Sequence, residues 1–275
     1  MVKFQNMNFR NDPEYLRKFQ YINSENLDAR IKLHTEYSTN NFGWNNFVLS
    51  NLLKLPGNSY LEVGCGPARS WSEFFRRKSD QKIVVLSDFS FGMVKSASQF
   101  LQKSEGIQFG NIDVQYLPFA DDSYDIVIAN HMLYHVPDLE HALSEISRVL
   151  SPTGVLVSAT NGVNHMQELR DIIQFTAPNL QGIYNIANKF SLENGYSYLE
   201  KYFNEVELYI YPDSLVINDV SPVLDYIVSI WGDFISDFQL ESIKKKLNFI
   251  ISNDKVFKVQ KSTGLFVSHL KKDRI

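Results

Sequence analysis

The 275-residue sequence contains one cysteine, Cys65, which excludes an intramolecular disulfide and any metal site built on several thiolates. No apolar run approaches the roughly 20 residues needed to span a bilayer. The opening stretch MVKFQNMNFRNDPEYLRKF mixes charge and amides and lacks the continuous apolar segment of a secretory signal, so a soluble, cytoplasmic chain is expected. Basic charge is also scarce: the net charge is −4 and the longest basic run is Lys244-Lys245-Lys246. Phosphate neutralisation needs clustered Lys and Arg, so a nucleic-acid surface is not expected, and the triplet reads as a solvated helix face. There is no repeat at a fixed period and no low-complexity segment, which removes solenoid and disordered-linker architectures.

What is present, from Ser59 to Thr160, is an alternation of short β-rich runs with amphipathic stretches: SYLEV, ARSWSEFFRRK, KIVVLS, FGMVKSASQFLQK, IQFGNI, YDIVIAN, LEHALSEISRVL and GVLVSAT. Strand alternating with helix predicts a parallel sheet covered on both faces. KIVVLS and DIVIAN are apolar almost throughout and so read as central strands. The best-defined helix begins after the N-cap Asp138, carries Leu139, Leu143, Ile146 and Leu150 at helical spacing, and ends at Pro152 and Gly154.

The flanks are less regular. Residues 1–56 read as helices over the C-terminal edge of the sheet, a candidate lid, and residues 57–275 as one domain with helical insertions around 163–200 and 215–252. NEVELYIYP, VFKVQ and LFVSHL read as closing strands of the same sheet. The expected fold is α/β, Rossmann-like, with a seven-stranded mostly parallel sheet, helices on both faces and helical cap insertions.

YLEVGCGPARS, residues 60–70, carries the chemistry. An apolar strand ends in the acidic Glu62, and Gly64-Cys65-Gly66 leads into a helix, where the chain must turn sharply and let a ligand approach the backbone beside outward-pointing amides. A dinucleotide fingerprint would place its third glycine at position 69, which is Arg69, so a pyrophosphate cradle fits poorly. Asp88 ends the next strand, 22 residues beyond Gly66, where a carboxylate can accept both hydroxyl protons of a ribose. Asn111-Ile112-Asp113-Val114 follows the third strand, where a carboxylate and a backbone amide suit the edge of an adenine. Three strand ends thus describe one adenosine. Cys65 reads as a small buried filler of the loop.

LEVGCGPA, SDFSFGM, NIDVQYLPF, YDIVIANHMLYHV and ALSEISRVLSPTGVL, in this order, resemble the successive motifs of class I S-adenosylmethionine-dependent methyltransferases. The resemblance covers about residues 58–160. It is nearest to the small-molecule group that includes ubiquinone- and menaquinone-biosynthesis methyltransferases and natural-product tailoring enzymes.

The resemblance implies that Glu62, Gly64, Cys65 and Gly66 surround the methionine part of S-adenosylmethionine and that Asp88 holds the ribose. It implies further that Phe89 and Met93 pack on the adenine, Asp113 and Val114 read its edge, and Asn130 with His131 closes the site.

Methyl transfer from a sulfonium is an in-line displacement, in which positioning supplies much of the rate. His131 and His135, after the fourth strand, are the candidate acid/base residues for a hydroxyl, amine or carbon acceptor. Tyr134 and His165 are weaker candidates, and no metal is expected. Tyr184, Tyr226, Trp231, Phe234 and Phe238 are candidates for an aromatic acceptor pocket. The expected partner is a small-molecule methyl acceptor, without nucleic acid; a homodimer stays open.

Three alternatives remain in view. A non-catalytic protein could keep the cofactor site without turnover. An RNA or DNA methyltransferase is opposed by the acidic charge and by Asn130-His131-Met132-Leu133, in place of an Asn/Asp-Pro-Pro-aromatic sequence. A nicotinamide reductase is opposed by Arg69.

Overall fold

The computed structural model describes residues 12–78, 83–102, 106–180 and 189–270. Its main body is a seven-stranded sheet in the order β3-β2-β1-β4-β5-β9-β6. The strands are β1 (Ser59–Val63), β2 (Ile83–Asp88), β3 (Ile107–Asn111), β4 (Tyr124–Asn130), β5 (Leu150–Asn161), β6 (Phe203–Ile210) and β9 (Thr263–Leu270). β1 to β5 pair in parallel, and β9 runs antiparallel to both β5 and β6, so the sheet is mostly parallel, as the alternation of strand and helix predicted.

Side-chain alternation explains why both faces are covered. Tyr60, Val84, Leu86, Ile126 and Ile128 point into one core, with Trp71 and Phe74 of α4 (Trp71–Arg77) and Ala97 of α5 (Phe91–Phe100). Leu61, Val85, Val127 and Ala129 point into the other, with Leu143 and Ile146 of α6 (Leu139–Val149) and Leu199 of α8 (Gly195–Leu199). Each fully buried aliphatic side chain contributes about 1.5–3 kcal/mol. α6 has the predicted start: the Asp138 carboxylate accepts from the His141 amide at 3.0 Å, satisfying an otherwise orphaned donor.

Above the C-terminal ends of the strands lies a cap. α1 (Pro13–Tyr15) runs into a π-helical turn, Leu16–Gln20, followed by α2 (Glu25–Tyr37) and, beyond the sheet, α7 (Gln167–Thr176). The hairpin partners β7 (Ser214–Ile217) and β8 (Phe257–Gln260) are separated by α9 (Ser221–Trp231) and α10 (Asp237–Asp254). The cap has its own core, in which Leu33 meets Leu169, Leu215, Ile227, Trp231, Ile243 and Val259.

Two expectations are corrected here. VFKVQ pairs with β7 in a separate two-stranded sheet and takes no part in the main one. Its alternating burial suits either sheet, and only the long-range partner decides. α3 (Trp44–Leu52) buries Val48, Leu49 and Leu52 against the face of the sheet, so only α1, the π-turn and α2, with the first turn of α3, lie at the strand ends. Lys244 to Lys246 are exposed on α10, as expected for a solvated face. Among the described residues no helix is long and apolar enough to cross a membrane.

Candidate active site

The cap and the strand ends enclose a cleft of about 1060 Å3. All eleven sequence-derived cofactor residues line it, together with His135. At its floor β1 runs into Gly64 and Gly66, whose φ values of +66° and +55° place both in the left-handed region. A Cβ on Gly64 would stand 2.7 Å from Cβ of Met132, so both conformation and space require glycine. Ala68 accepts a φ of +54°, the third turn of the same loop. Cys65 is buried, its amide donating to the Ser87 carbonyl at 2.9 Å; desolvation raises its thiol pKa well above the ordinary value, which leaves a filler and no nucleophile.

Asp88 braces two loops. Its Oδ2 accepts from the Gly66 amide at 2.9 Å and its Oδ1 from the Ser90 amide at 2.8 Å. Burial raises its pKa, and these two amide bonds act in the opposite sense. Asn111 fixes the same strand end from below, donating to the carbonyls of Asp88 at 2.9 Å and Phe89 at 2.8 Å. Ser90 caps α5 by accepting from the Met93 amide, which brings the buried Met93 and half-buried Phe89 to the cleft wall. After β3, both carboxylate oxygens of Asp113 accept from Gln115 Nε2, each at 3.1 Å. Asp113 therefore shapes its own turn while facing the cleft beside the buried Val114.

Glu62 and Asn130 form the corner between β1 and β4. Glu62 is buried; its Oε2 accepts from the indole Nε1 of Trp71 and its Oε1 from Asn130 Nδ2 at 3.2 Å. Burial pushes its carboxyl up to about 7, against the two hydrogen bonds. Oδ1 of Asn130 is buried without a hydrogen-bond partner among the described residues. A carboxylate beside an unsatisfied amide oxygen is an acceptor-only corner, fitted to a cationic donor such as an ammonium.

The histidines lie on the other side of β4. His131 has a φ of +53°, its ring lies 5.2 Å from that of Trp44, and burial followed by the charge of Lys261 pushes its imidazole down to about 4. His135 ends a 3-10 turn, with Nε2 3.0 Å from the Tyr21 hydroxyl. Nδ1 of His165 lies 3.2 Å from the Thr263 hydroxyl. Of the four aromatic candidates for an acceptor pocket among the described residues, only Tyr226 lines the cleft. Trp231 is in the core of the cap, Phe234 packs on that core, and Phe238 is 82% exposed; Tyr184 lies outside the described residues. A helical aromatic stripe fills a core more readily than it faces a cleft.

Several site contacts escape a reading of the sequence: Trp71 on Glu62, nine residues before it, and, between more distant partners, Tyr21 on His135, Trp44 on His131, and Arg69, which pairs with Asp28 of α2 at 2.8 and 2.9 Å. Only Trp71 carried a local signal, as the first residue of the helix after the glycine loop.

Comparison with known proteins agrees with this geometry. Residues 61–158 match the family described as a methyltransferase domain. A demethylmenaquinone methyltransferase of Lysinibacillus sphaericus is 29% identical over 133 residues, 48% of this chain and 57% of that protein. A malonyl-[acyl-carrier protein] O-methyltransferase of Methylovorus is 32% identical over 126 residues, 44% of this chain and 42% of that protein. The chain thus spans about half the length of the curated relatives it matches. The crystal structure of YcgJ from Bacillus subtilis shares the fold, with a TM-score of 0.57 at 17% identity over 82% of this chain and 98% of that one. Residues 61–158, which supply the glycine cradle, Asp88 and the Glu62–Asn130 corner, are thus the part of the chain that is similar to a methyltransferase domain.

Proposed function

We propose that the protein is an enzyme that transfers a methyl group from S-adenosylmethionine to a small-molecule acceptor. The observation that carries this reading is the corner where Glu62 accepts from Asn130 Nδ2 and the Oδ1 of Asn130 is left unsatisfied, one strand from the glycine cradle and two from Asp88. The corner suits the methionine ammonium, the cradle admits a ligand against the backbone, and Asp88 stands where a ribose is held. When bound, the cofactor supplies an electrophilic methyl group on a sulfonium. The chain contributes position: the cleft holds the acceptor beside β4 and β5, and the cap excludes water. His135, tied to Tyr21, is the candidate base, because its ring nitrogen takes part in a hydrogen bond at the cleft wall. His131, neutral at pH 7 and packed on Trp44, is better placed to shape the cleft.

An acidic chain favours a small-molecule acceptor over nucleic acid, and the lone, buried cysteine is compatible with a reducing cytoplasm. Residues 13–37 act as a lid over the bound cofactor, held by the Arg69–Asp28 pair.

Calorimetric titration with S-adenosylmethionine and S-adenosylhomocysteine, with NADH and ATP as controls, tests the reading. Micromolar binding of the first two alone supports it, and preference for NADH or ATP would overturn it. Asp88→Asn keeps the shape of the side chain but leaves only one oxygen acceptor for the Gly66 and Ser90 amides and the ribose. At least tenfold weaker cofactor binding is expected, and unchanged affinity would remove the ribose assignment.

A further inference from the structure

Charged side chains line the cleft on both sides. On the side of β1, β2 and β3 the carboxylates Glu62, Asp88 and Asp113 stand with Arg69, Arg76 and Arg77, each of these arginines paired with a carboxylate; a second group comprises Arg30, His34, His165 and Lys261. The second group comes from separate elements. Arg30 and His34 stand one helical turn apart on α2, His165 precedes α7, and Lys261 precedes β9. The His34 ring lies 5.9 Å from that of His165 and 5.8 Å from that of Tyr226 on α9. His34 Nδ1 is buried and has no hydrogen-bond partner among the described residues. The Arg30 guanidinium has carbonyl acceptors, Asn26 at 3.1 Å and Ser229 at 3.5 Å, and the ring of Tyr21, but no carboxylate among the described residues.

The one carboxylate on this side, Asp213, is already saturated. Its Oδ2 takes Lys261 at 2.5 Å, and its Oδ1 accepts from Ser38, Asn40 and Ser214. We propose that this half of the cleft binds an oxyanion of the acceptor, a carboxylate or phosphate, through Arg30, His34 and His165. The inference rests on the reading of the cleft as a methyl-transfer site.

Two further observations support it. His165 follows β5 and Lys261 precedes β9, beyond the strands that carry the cofactor residues, and the His34 ring lies against that of His165. Burial, then neighbouring positive charge, depresses His34 to about 3 and His165 well below its ordinary value. The groups facing them are Arg30, Lys261, His131, Tyr226 and the paired Asp213, so the site has donors with no free counter-anion. An entering oxyanion supplies the missing acceptor and raises the pKa of both imidazoles from these low values.

The test uses the full chain saturated with S-adenosylhomocysteine and titrated by calorimetry with benzoate, phenyl phosphate and the neutral isostere benzamide. The cofactor titration is read separately, so failure of the methyl-transfer reading and failure of the anion site are told apart. Benzoate or phenyl phosphate is expected to bind at least tenfold more tightly than benzamide. The stronger of the two probes identifies the oxyanion. His34→Gln and Arg30→Gln, each checked for an unchanged melting temperature, are expected to weaken the anion tenfold or more, and by a clearly larger factor than any change in S-adenosylhomocysteine affinity. Equal binding of benzamide, anion binding only without S-adenosylhomocysteine, or full anion affinity in both folded variants would each overturn the proposal.

Discussion

The hydroxyl of Tyr21 stands 3.0 Å from Nε2 of His135, joining a segment near the start of the described chain to the turn after β4. The Tyr21 carbonyl also accepts from Ser90 Oγ at 2.6 Å, so one residue links the cofactor-side helix α5 to the candidate base. If His135 takes a proton from the acceptor, Tyr21 positions its ring. Tyr21→Phe is then expected to lower kcat by about tenfold, equivalent to about 1.4 kcal/mol, and to shift the acidic limb of the pH–rate profile, with cofactor affinity little changed. A tie that merely stabilised the fold would lower the melting temperature and leave that limb in place.

The same strap depends on Gly92. A Cβ there would stand 1.9 Å from the Ile22 carbonyl oxygen, a backbone atom that cannot turn aside. Gly92→Ala must therefore displace residues 21–23 from α5 and break the Ser90–Tyr21 bond, a loss of about 1 kcal/mol. Alanine also favours the helix itself, so the melting temperature should change little. Faster proteolysis within residues 13–24 and roughly fivefold faster release of S-adenosylhomocysteine are expected. Unchanged release would mean that the strap does not act as a lid.

These contacts also show which parts of the molecule were legible in sequence. Glu62, Asp88 and Asp113 each end or follow an apolar run, and a parallel sheet brings successive strand ends to one edge, so local pattern and topology together suffice for them. Asp138 likewise announces its helix by local chemistry. Arg30, His34 and Tyr21 sit instead in polar stretches whose meaning depends on α9, His165 and His135, more than 100 residues away. VFKVQ fails for the same reason: an alternating strand has no sheet until its partner is known.

Glu62 gives a further test, because its pKa of about 7 lies well above the usual carboxylate range through burial. Near neutral pH about half of the empty sites carry the proton, whereas a methionine ammonium at the corner favours the carboxylate. Cofactor binding should release protons and strengthen as pH rises from 6 to 8, by up to about tenfold if only the ionised form binds. Glu62→Gln keeps an acceptor for Trp71 but removes the charge. It should weaken binding by about ten- to a hundredfold, as expected for loss of a hydrogen bond to a charged group, and abolish the pH dependence. Calorimetry in Tris and in phosphate measures the proton directly; equal observed enthalpies in the two buffers would show that no proton is released and that Glu62 does not meet the ammonium.

The buried histidines set the acid limit of the fold. His34 and His131 are held near 3 and 4 and His165 well below its ordinary value, in each case first by burial, so the unfolded chain binds three protons below pH 6.5 that the native chain refuses. Their contribution to stability is complete above about 6.5 and is lost as pH falls toward their folded values. Glu62 and Asp88, raised in the folded protein, act in the opposite sense, since the native state holds their protons more tightly. At pH 5.5 the histidines favour proton uptake on unfolding by nearly three, and the two carboxyls offset at most about two. The balance is at least about one proton, or a fall of at least roughly 1.4 kcal/mol per pH unit. Urea unfolding at pH 7.0, 6.0 and 5.0 should show this decline, and His165→Gln should flatten it by removing one of the three protons. A stability that stayed level from pH 7 to 5 in the parent protein would mean that these imidazoles are open to solvent and free to charge.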